Sequence, residues 1–162
     1  MMEVMNNSYN IRKAYLKDIS SISKLWKEFI SYHHFNSDSN IIVFDAESIY
    51  KKELVDILSN NTKAIFVVEI NKIIVGYISC EIRNLQKYFV ENRFGYISEI
   101  FVKDEFRSKG LGNSLLNKAE EWFIKKNIKK IECLVDVNNV ISENFWTNKS
   151  YHTVISIKSK NL

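Results

Sequence analysis

The most informative segment for the fold and ligand of this chain is the run Arg107-Ser108-Lys109-Gly110-Leu111-Gly112. It joins two segments of different hydrophobic pattern. Before it, residues 96–102 are rich in β-branched and aromatic side chains, which is typical of a strand. After it, apolar side chains recur at helical spacing over residues 111–126. Such a junction directs several backbone N–H groups and the positive end of a helix dipole at one point. The run therefore predicts a binding site for a phosphate group.

The composition of this run supports a pyrophosphate-bearing ligand. Gly110 and Gly112 are two of only four glycines in the chain. Since glycine has no Cβ, a phosphate can approach the backbone closely at these positions. Arg107 and Lys109 add positive charge. We call residues 107–112 the phosphate cradle, and a cradle for pyrophosphate implies a nucleotide-bearing ligand.

Two common glycine-rich motifs do not fit the cradle. A Walker-type loop requires a lysine directly after its last glycine, whereas Gly112 is followed by Asn113. A dinucleotide-binding fingerprint requires glycine or alanine three residues after Gly112, where this chain has Leu115. Glu132 lies 20 residues after Gly112, at the spacing of a ribose-binding acid. A single glutamate is weak support for that motif. The motif also follows the first strand of its domain, whereas residues 107–112 lie in the second half of this chain.

Hydrophobic periodicity predicts an alternation of strands and helices. Helices are expected from residue 18 to about residue 30 and at residues 46–58, 111–126 and 142–149, with a loop at residues 31–40. Strands are expected at residues 10–14, 64–70, 73–82, 96–102, 130–137 and 153–157, with a hairpin turn at Asn71-Lys72. Strands joined through a helix should be parallel, and hairpin strands antiparallel. The prediction is an α/β fold (α+β in some schemes) with a mixed, twisted sheet and helices on both faces.

Composition limits the class of protein. A chain of 162 residues suits a single domain, with residues 1–9 as a flexible or extended N-terminus. A net charge of +4 suits an anionic ligand but does not indicate a nucleic-acid partner. Cys80 and Cys133 are predicted to be reduced thiols. We see no spacing of metal ligands, no signal peptide and no membrane-spanning segment, so the expectation is a cytoplasmic protein without metal or membrane partner.

In their order along the chain, these segments resemble the GNAT superfamily of acetyl-CoA-dependent N-acetyltransferases. The core motif of that family is Arg/Gln-x-x-Gly-x-Gly/Ala after a strand ending in valine, here Val102 and then residues 107–112. Three further segments match the family: Ile11-Arg12-Lys13-Ala14 with Asp18, Ile22 and Leu25; Ile74-Val75-Gly76-Tyr77-Ile78; and Asn139 with Ser142, Phe145 and Trp146. The resemblance covers nearly the whole chain and implies a GNAT-like central sheet of six to seven strands.

The resemblance implies acetyl-CoA as co-substrate. Its pantetheine arm would pair with the backbone of residues 100–102, and N–H groups of residues 108–113 would hold the pyrophosphate. A backbone N–H near Phe101 or Val102 would polarise the thioester carbonyl. Asn139 would either bind the pantetheine or only cap the following helix. The implied cofactor-binding residues are Ile100, Phe101, Val102, Arg107, Ser108, Lys109, Gly110, Leu111, Gly112, Asn113, Asn139 and Trp146.

The family reaction is direct attack of an amine on the thioester, and Glu99 is the candidate base. A protonated amine cannot attack, so a group that accepts its proton helps. Glu99 lies one residue before the pantetheine-binding segment, where many family members carry an acid. A carboxylate inside an otherwise apolar strand is unusual. The alternatives are that Glu99 is an exposed strand residue or that it binds a cationic substrate without taking its proton.

Two residues depart from the family pattern. Trp146 stands where the family usually has a tyrosine that protonates the leaving thiolate. Because an indole N–H does not release a proton, Trp146 can pack on the thioester or donate a hydrogen bond but cannot act as an acid. Water or another tyrosine would protonate the leaving thiolate, or no acid is needed. Ser150 replaces the usual glycine after the helix and is expected to adopt a left-handed cap conformation.

The resemblance places the amine acceptor beside the first two helices and their loop. That loop contains Tyr32-His33-His34-Phe35, either an aromatic lid or a surface loop. The acceptor is a small-molecule amine or a protein amine, which the sequence does not distinguish. A non-catalytic acyl-CoA-binding sensor or interaction module is the alternative function, and both a monomer and a homodimer remain open.

Overall fold

The computed structural model describes residues 8–34, 42–158 and 160, with side chains of residues 32–34 left out. Within these residues it contains five strands and four helices. In chain order they are β1 (Tyr9–Lys13), α1 (Ile19–His34), α2 (Ala46–Ser59), β2 (Lys63–Ile70), β3 (Ile73–Asn84), β4 (Arg93–Val102), α3 (Leu111–Lys125), β5 (Ile131–Cys133) and α4 (Val140–Thr147). Short 3-10 turns at Leu16–Asp18 and Asp104–Phe106 precede α1 and follow β4.

The strands form one mixed sheet in the order β1-β2-β3-β4-β5. The pairs β1–β2, β2–β3 and β3–β4 are antiparallel, whereas β5 is parallel to β4, to which α3 connects it. This topology confirms a mixed α/β fold. The turn between β2 and β3 is confirmed at Asn71 and Lys72, whose φ angles of 49° and 65° are those of a tight hairpin turn.

Helices cover both faces of the sheet, and each of them buries an apolar stripe against it. On one face, α3 packs Leu115, Ala119 and Phe123 against strand residues such as Ile78 and Ile97. The opposite face carries α1 and α2, whose buried residues Ile22, Leu25 and Leu54 pack on Ile65, Val67 and Tyr77. The sheet therefore separates two cores, and a β4 side chain belongs to one core or the other according to the direction in which it points.

The expected number of six to seven strands is wrong for the described part of the chain, which forms a five-stranded sheet. Residues 153–157, predicted as the last strand, form no strand, and Val154, Ile155 and Ile157 are exposed. Strand 130–137 is also shorter than predicted, since β5 pairs with β4 only over Ile131–Cys133. β-Branched residues favour extended backbone, but a strand also needs a neighbour to accept its hydrogen bonds.

Two other expectations concern segments next to residues that the structure does not describe. Tyr9, assigned to a flexible or extended terminus, begins β1 and pairs with Ile70, while residues 1–7 lie outside the described residues. The predicted loop at residues 31–40 begins later, because α1 continues to His34, and residues 35–41 lie outside the description.

None of the helices in the described ranges has the length and apolar character needed to cross a bilayer.

Candidate active site

A cleft of about 180 Å³ opens where β4 and β5 separate. It unites three segments that the sequence analysis assigned to cofactor binding: the end of β4, the phosphate cradle and the start of α4. Its lining residues are Phe29, Ile100, Phe101, Val102, Arg107, Gly112, Asn139, Ile141, Ser142 and Phe145.

One edge of β4 is available to a ligand within this cleft. The strand pairs with β3 as far as Val102, opposite Gly76. On its other side, β5 pairs only with Gly95, Tyr96 and Ile97. In the described part of the chain, no strand therefore pairs with this second edge over residues 100–102. An extended ligand with amide groups can add to such an edge as a further strand.

The phosphate cradle has the backbone shape of an anion site. Ser108 and Gly110 both have positive φ, at 59° and 78°, immediately before α3 begins at Leu111. Left-handed residues in a turn direct successive N–H groups into a common concavity that suits an anion. A Cβ added at Gly110 would meet no atom within 4 Å, so space does not restrict this position. The φ angle of Gly110 restricts this position instead, because residues with a side chain rarely adopt it.

The two cations of the cradle also hold its loop in place. Arg107 donates from Nε to the Val102 carbonyl oxygen at 2.9 Å, and its Nη2 lies 2.9 Å from Asp104 Oδ1. Lys109 donates from Nζ to the carbonyl oxygen of Glu105 at 3.0 Å. Arg107 thereby fixes the cradle to the end of β4 while it lines the cleft.

Asn139 caps α4 at the edge of the cleft. Its Oδ1 accepts a hydrogen bond from the Ser142 backbone N–H at 3.0 Å. This is the capping role that the sequence analysis left open. The amide nitrogen of Asn139 takes no part in the cap and is a donor that a ligand in the cleft could use.

A β-bulge in β4 decides where the Glu99 side chain points. Ser79 pairs with Glu99, but the next residue of β3, Cys80, pairs with Ile97, so Ser98 is an extra residue. A bulge reverses the alternation of side chains across the sheet. Ile97 lies in the core under α3, whereas Glu99 reaches Tyr50 of α2 on the other face. The bulge is a departure from the single regular strand that the sequence predicts over residues 96–102.

Two phenols hold the Glu99 carboxylate. The Tyr50 hydroxyl donates to Glu99 Oε2 at 2.7 Å, and the Tyr77 hydroxyl donates to the same oxygen at 2.9 Å. Tyr50 is 5% exposed and Tyr77 is fully buried. Neither tyrosine is among the predicted site residues, because a tyrosine within an apolar face carries no signal that separates it from ordinary core residues.

The surroundings of Glu99 have opposing effects on its pKa. Burial raises the pKa of Glu99 above its usual range, whereas hydrogen bonds from Tyr50, Tyr77 and the Trp26 indole act to lower it. Burial and the nearby charge of Glu99 also raise the pKa of both phenols. At neutral pH the two tyrosines are therefore hydrogen-bond donors and cannot lose their protons.

Trp146 lies in the core beside the cleft. It is 5% exposed and packs edge-to-face against Phe145 and Tyr151, with ring centroids 5.2 and 4.8 Å away. The aromatic ring that lines the cleft from this helix is that of Phe145. Tyr151 donates its hydroxyl to Glu120 at 3.2 Å, and burial raises its pKa. A contact between Trp146 and a thioester stays a prediction.

The helix α1 brings aromatic side chains to the cleft, on the side where the acceptor is predicted. Trp26 stacks on Tyr50 with ring centroids 4.2 Å apart, and Phe29 meets Phe101 edge-to-face at 6.2 Å. Phe29 lines the cleft, so α1 borders this space. The predicted lid, residues 32–35, cannot be placed here: the side chains of residues 32–34 and the whole of Phe35 lie outside the description. The residues described contain no cluster of three or more side chains suited to a metal ion.

Comparison with known proteins agrees with this geometry. A family model described as the acetyltransferase (GNAT) family matches residues 23–150. The chain belongs to this family. An uncharacterized N-acetyltransferase of Archaeoglobus fulgidus is 28% identical over 139 residues, which cover 86% of this chain and 90% of the relative. One of Methanocaldococcus jannaschii is 30% identical over 149 residues, 85% of this chain, but the match spans only 59% of that longer protein.

Solved GNAT structures share the fold at low sequence identity. A predicted acetyltransferase of Clostridium acetobutylicum, solved with acetyl-CoA, has a TM-score of 0.80 at 19% identity, covering 95% of this chain and 96% of that chain. The aminoglycoside N-acetyltransferase AAC(6')-Iy, solved with CoA, has a TM-score of 0.79 at 16% identity, with 99% of each chain covered.

Proposed function

We propose that this protein is an N-acetyltransferase that moves an acetyl group from acetyl-CoA to a primary amine within a ternary complex. One observation carries the proposal. The bulge at Ser98 turns Glu99 toward the acceptor-side helices, while the next residues of the same strand, 100–102, present their unpaired edge to the cleft. A proton acceptor and a place for an acyl-carrying arm therefore lie next to each other on one strand.

The residues of the cleft fit acetyl-CoA as co-substrate. Its pyrophosphate would be held by N–H groups of residues 108–113, where Ser108 and Gly110 already have the left-handed conformations of an anion site. Its pantetheine arm carries two amides, which suit the unpaired edge of β4. Structures of two GNAT neighbours, solved with acetyl-CoA and with CoA, support this assignment.

The proposed chemistry is direct attack of the neutral amine on the thioester carbonyl. The nitrogen–carbon bond forms, the carbon–sulfur bond breaks, and the proton of the amine passes to Glu99. A backbone N–H near Phe101 or Val102 would stabilise the negative charge that develops on the carbonyl oxygen. Because a thiol has a pKa of about 8.5, the thiolate can leave without an acid. Tyr50, Tyr77 and Tyr151, which donate to glutamates, are not needed for that step.

A second candidate function is a non-catalytic acyl-CoA-binding sensor or interaction module. The observation that favours it is Trp146, a buried core residue at the position where the family usually has an acidic tyrosine. The same cleft and cradle would serve this function without transfer of the acyl group.

An assay of thiol release separates the two functions. Purified protein is mixed with acetyl-CoA and a panel of primary amines: an aminoglycoside, a polyamine, an aryl-alkylamine, free lysine and a peptide with a free N-terminus. Release of CoA that depends on an amine, with the acetylated product detected by mass, supports the enzyme. Calorimetric binding of acetyl-CoA without release for any amine would favour the sensor.

A further inference from the structure

We propose that Tyr50 and Tyr77 are positioning residues for Glu99: both phenols occupy Oε2, so that Oε1 is the oxygen that takes the proton of the acceptor amine. This inference rests on the proposed function, since it assigns the two oxygens of the same base. It goes beyond that function by naming the residues that orient the base and the atom that acts.

The geometry fixes the carboxylate from two directions. Tyr50 reaches Glu99 from helix α2 at 2.7 Å, and Tyr77 reaches it from strand β3 at 2.9 Å. Two donors on one oxygen use its two lone-pair directions, which leaves Oε1 as the oxygen without a phenol. Because the donors come from different elements, the carboxylate cannot rotate without breaking a hydrogen bond. Tyr50 is itself held by its stack on Trp26 of α1.

Burial of the two hydroxyls argues for a role beyond packing. Tyr77 is fully buried and Tyr50 is 5% exposed. Phenylalanine would fill the same space without a polar group that needs a partner. Both hydroxyls instead converge on Glu99, and neither can ionise near neutral pH, because burial and the charge of Glu99 raise the pKa of each phenol. They therefore donate to the carboxylate throughout the pH range of an enzyme assay.

The residues that face Glu99 allow a test of the direction in which its pKa moves. From α2, Tyr50 donates to it and Glu53 repels its charge, and from β3, Tyr77 donates. From α1, Trp26 acts to lower the Glu99 pKa. Burial and Glu53 raise the pKa of Glu99, whereas the donors lower it. Removing one phenol hydroxyl must therefore raise the pKa of Glu99 further. A hydrogen bond to a charged group corresponds to about one pKa unit.

The first test measures that pKa without any acceptor. Protein labelled with ¹³C at the glutamate side-chain carboxyl is titrated by NMR, and the Glu99 signal is assigned by its absence in Glu99→Gln. In Tyr50→Phe and in Tyr77→Phe, the Glu99 pKa is expected to rise by about one unit. The matched control is Tyr151→Phe, which removes a phenol that donates to a different glutamate, Glu120, and should leave the Glu99 pKa unchanged.

The second test follows the reaction. The acid limb of the kcat/KM profile should move to higher pH in Tyr50→Phe and Tyr77→Phe, with a loss of about tenfold below the limb and convergence with the wild type above it. An unchanged Glu99 pKa in both variants, or an equal loss at every pH, would overturn the inference. Failure of the wild type to acetylate any amine would instead count against the proposed function, while the NMR titration would still decide whether the phenols act on Glu99.

Discussion

Gly112 lies directly beside the ring of Phe145. A Cβ added at Gly112 would lie 3.5 Å from Phe145 Cε2, an ordinary van der Waals distance, and no closer atom would meet it. The fold of this chain therefore has room for a methyl group at position 112. A glycine there makes sense if a ligand approaches the backbone of the first turn of α3, which is the role assigned to the phosphate cradle.

Gly112→Ala should leave the protein folded and weaken binding of CoA. Alanine favours a helix over glycine by about 0.5–1 kcal/mol, so the free energy of unfolding should stay equal or rise. The added methyl group should lower the affinity for CoA by at least about tenfold, which is ~1.4 kcal/mol. Chemical unfolding and titration calorimetry on the same samples measure the two effects.

Gly110→Ala is the matched comparison for that variant. A methyl group at Gly110 meets no atom within 4 Å, but the φ of 78° is unfavourable for alanine. This variant should lose about 1 kcal/mol of stability. A Gly112→Ala protein that binds CoA as tightly as the wild type would show that the cradle does not hold the ligand at this position.

Ser150→Gly should stabilise the protein without affecting the site. Ser150 follows α4 with a φ of 64°, which confirms the left-handed cap predicted from the sequence. Glycine removes the strain of a Cβ in that conformation, which amounts to about 1 kcal/mol. The midpoint of urea unfolding should rise with an unchanged slope, and affinity for CoA should not change. A drop in the midpoint would mean that the serine side chain stabilises the cap.

Local sequence rules predicted much of this structure. The positive φ angles at Asn71, Lys72 and Ser150 follow from turn and cap chemistry, which depends on a few adjacent residues. The helix after the cradle and the strands of the hairpin follow from periodicity, because each buries one face. The segments of the cleft were predicted to meet since the resemblance orders them in space.

The remaining features depend on contacts between distant residues. The bulge at Ser98 arises from the register of β3 against β4, and no glycine marks it in the sequence. The convergence of Tyr50 and Tyr77 on Glu99 joins residues that are 49 and 22 positions away. Residues 153–157 have the composition of a strand, but composition does not specify a neighbouring strand, and the described residues supply none.

Asp18→Asn should destabilise the protein in a pH-dependent manner. Arg12 donates to both carboxylate oxygens of Asp18, at 2.7 and 3.0 Å, and these bonds lower the Asp18 pKa below its usual 3.8. A carboxyl whose pKa is depressed by folding stabilises the native state above its unfolded pKa. That contribution is lost as the pH falls from about 3.8 through the lower folded value.

The Asp18→Asn variant should therefore be about 2 kcal/mol less stable at pH 7, with a smaller difference from the wild type as the pH falls below 3.8. Urea unfolding across this pH range measures the difference. A constant difference at all pH values would show that the charge of Asp18 does not contribute and that the asparagine is disruptive for another reason.

Trp146→Tyr should change stability but not catalysis. Trp146 is buried between Phe145 and Tyr151, so a smaller ring with a buried hydroxyl should cost about 1–3 kcal/mol. Because the thiolate leaves without an acid in the proposed mechanism, turnover should be unchanged across pH in the fraction that remains folded. A large gain in rate with the tyrosine would show that departure of the thiolate limits the reaction and requires an acid.

The role of Glu99 as the base is tested by the rate of a single turnover in Glu99→Gln. This rate is compared with that of the wild type at saturating acetyl-CoA, with an amine that the wild type acetylates. We expect the variant's rate to be lower by about 10²–10⁴-fold, because general-base catalysis is lost. Affinity for CoA should be unchanged, because the cradle and the edge of β4 remain intact. An unchanged rate, or a loss of CoA affinity in proportion to the loss of rate, would contradict the assignment of Glu99 as the base.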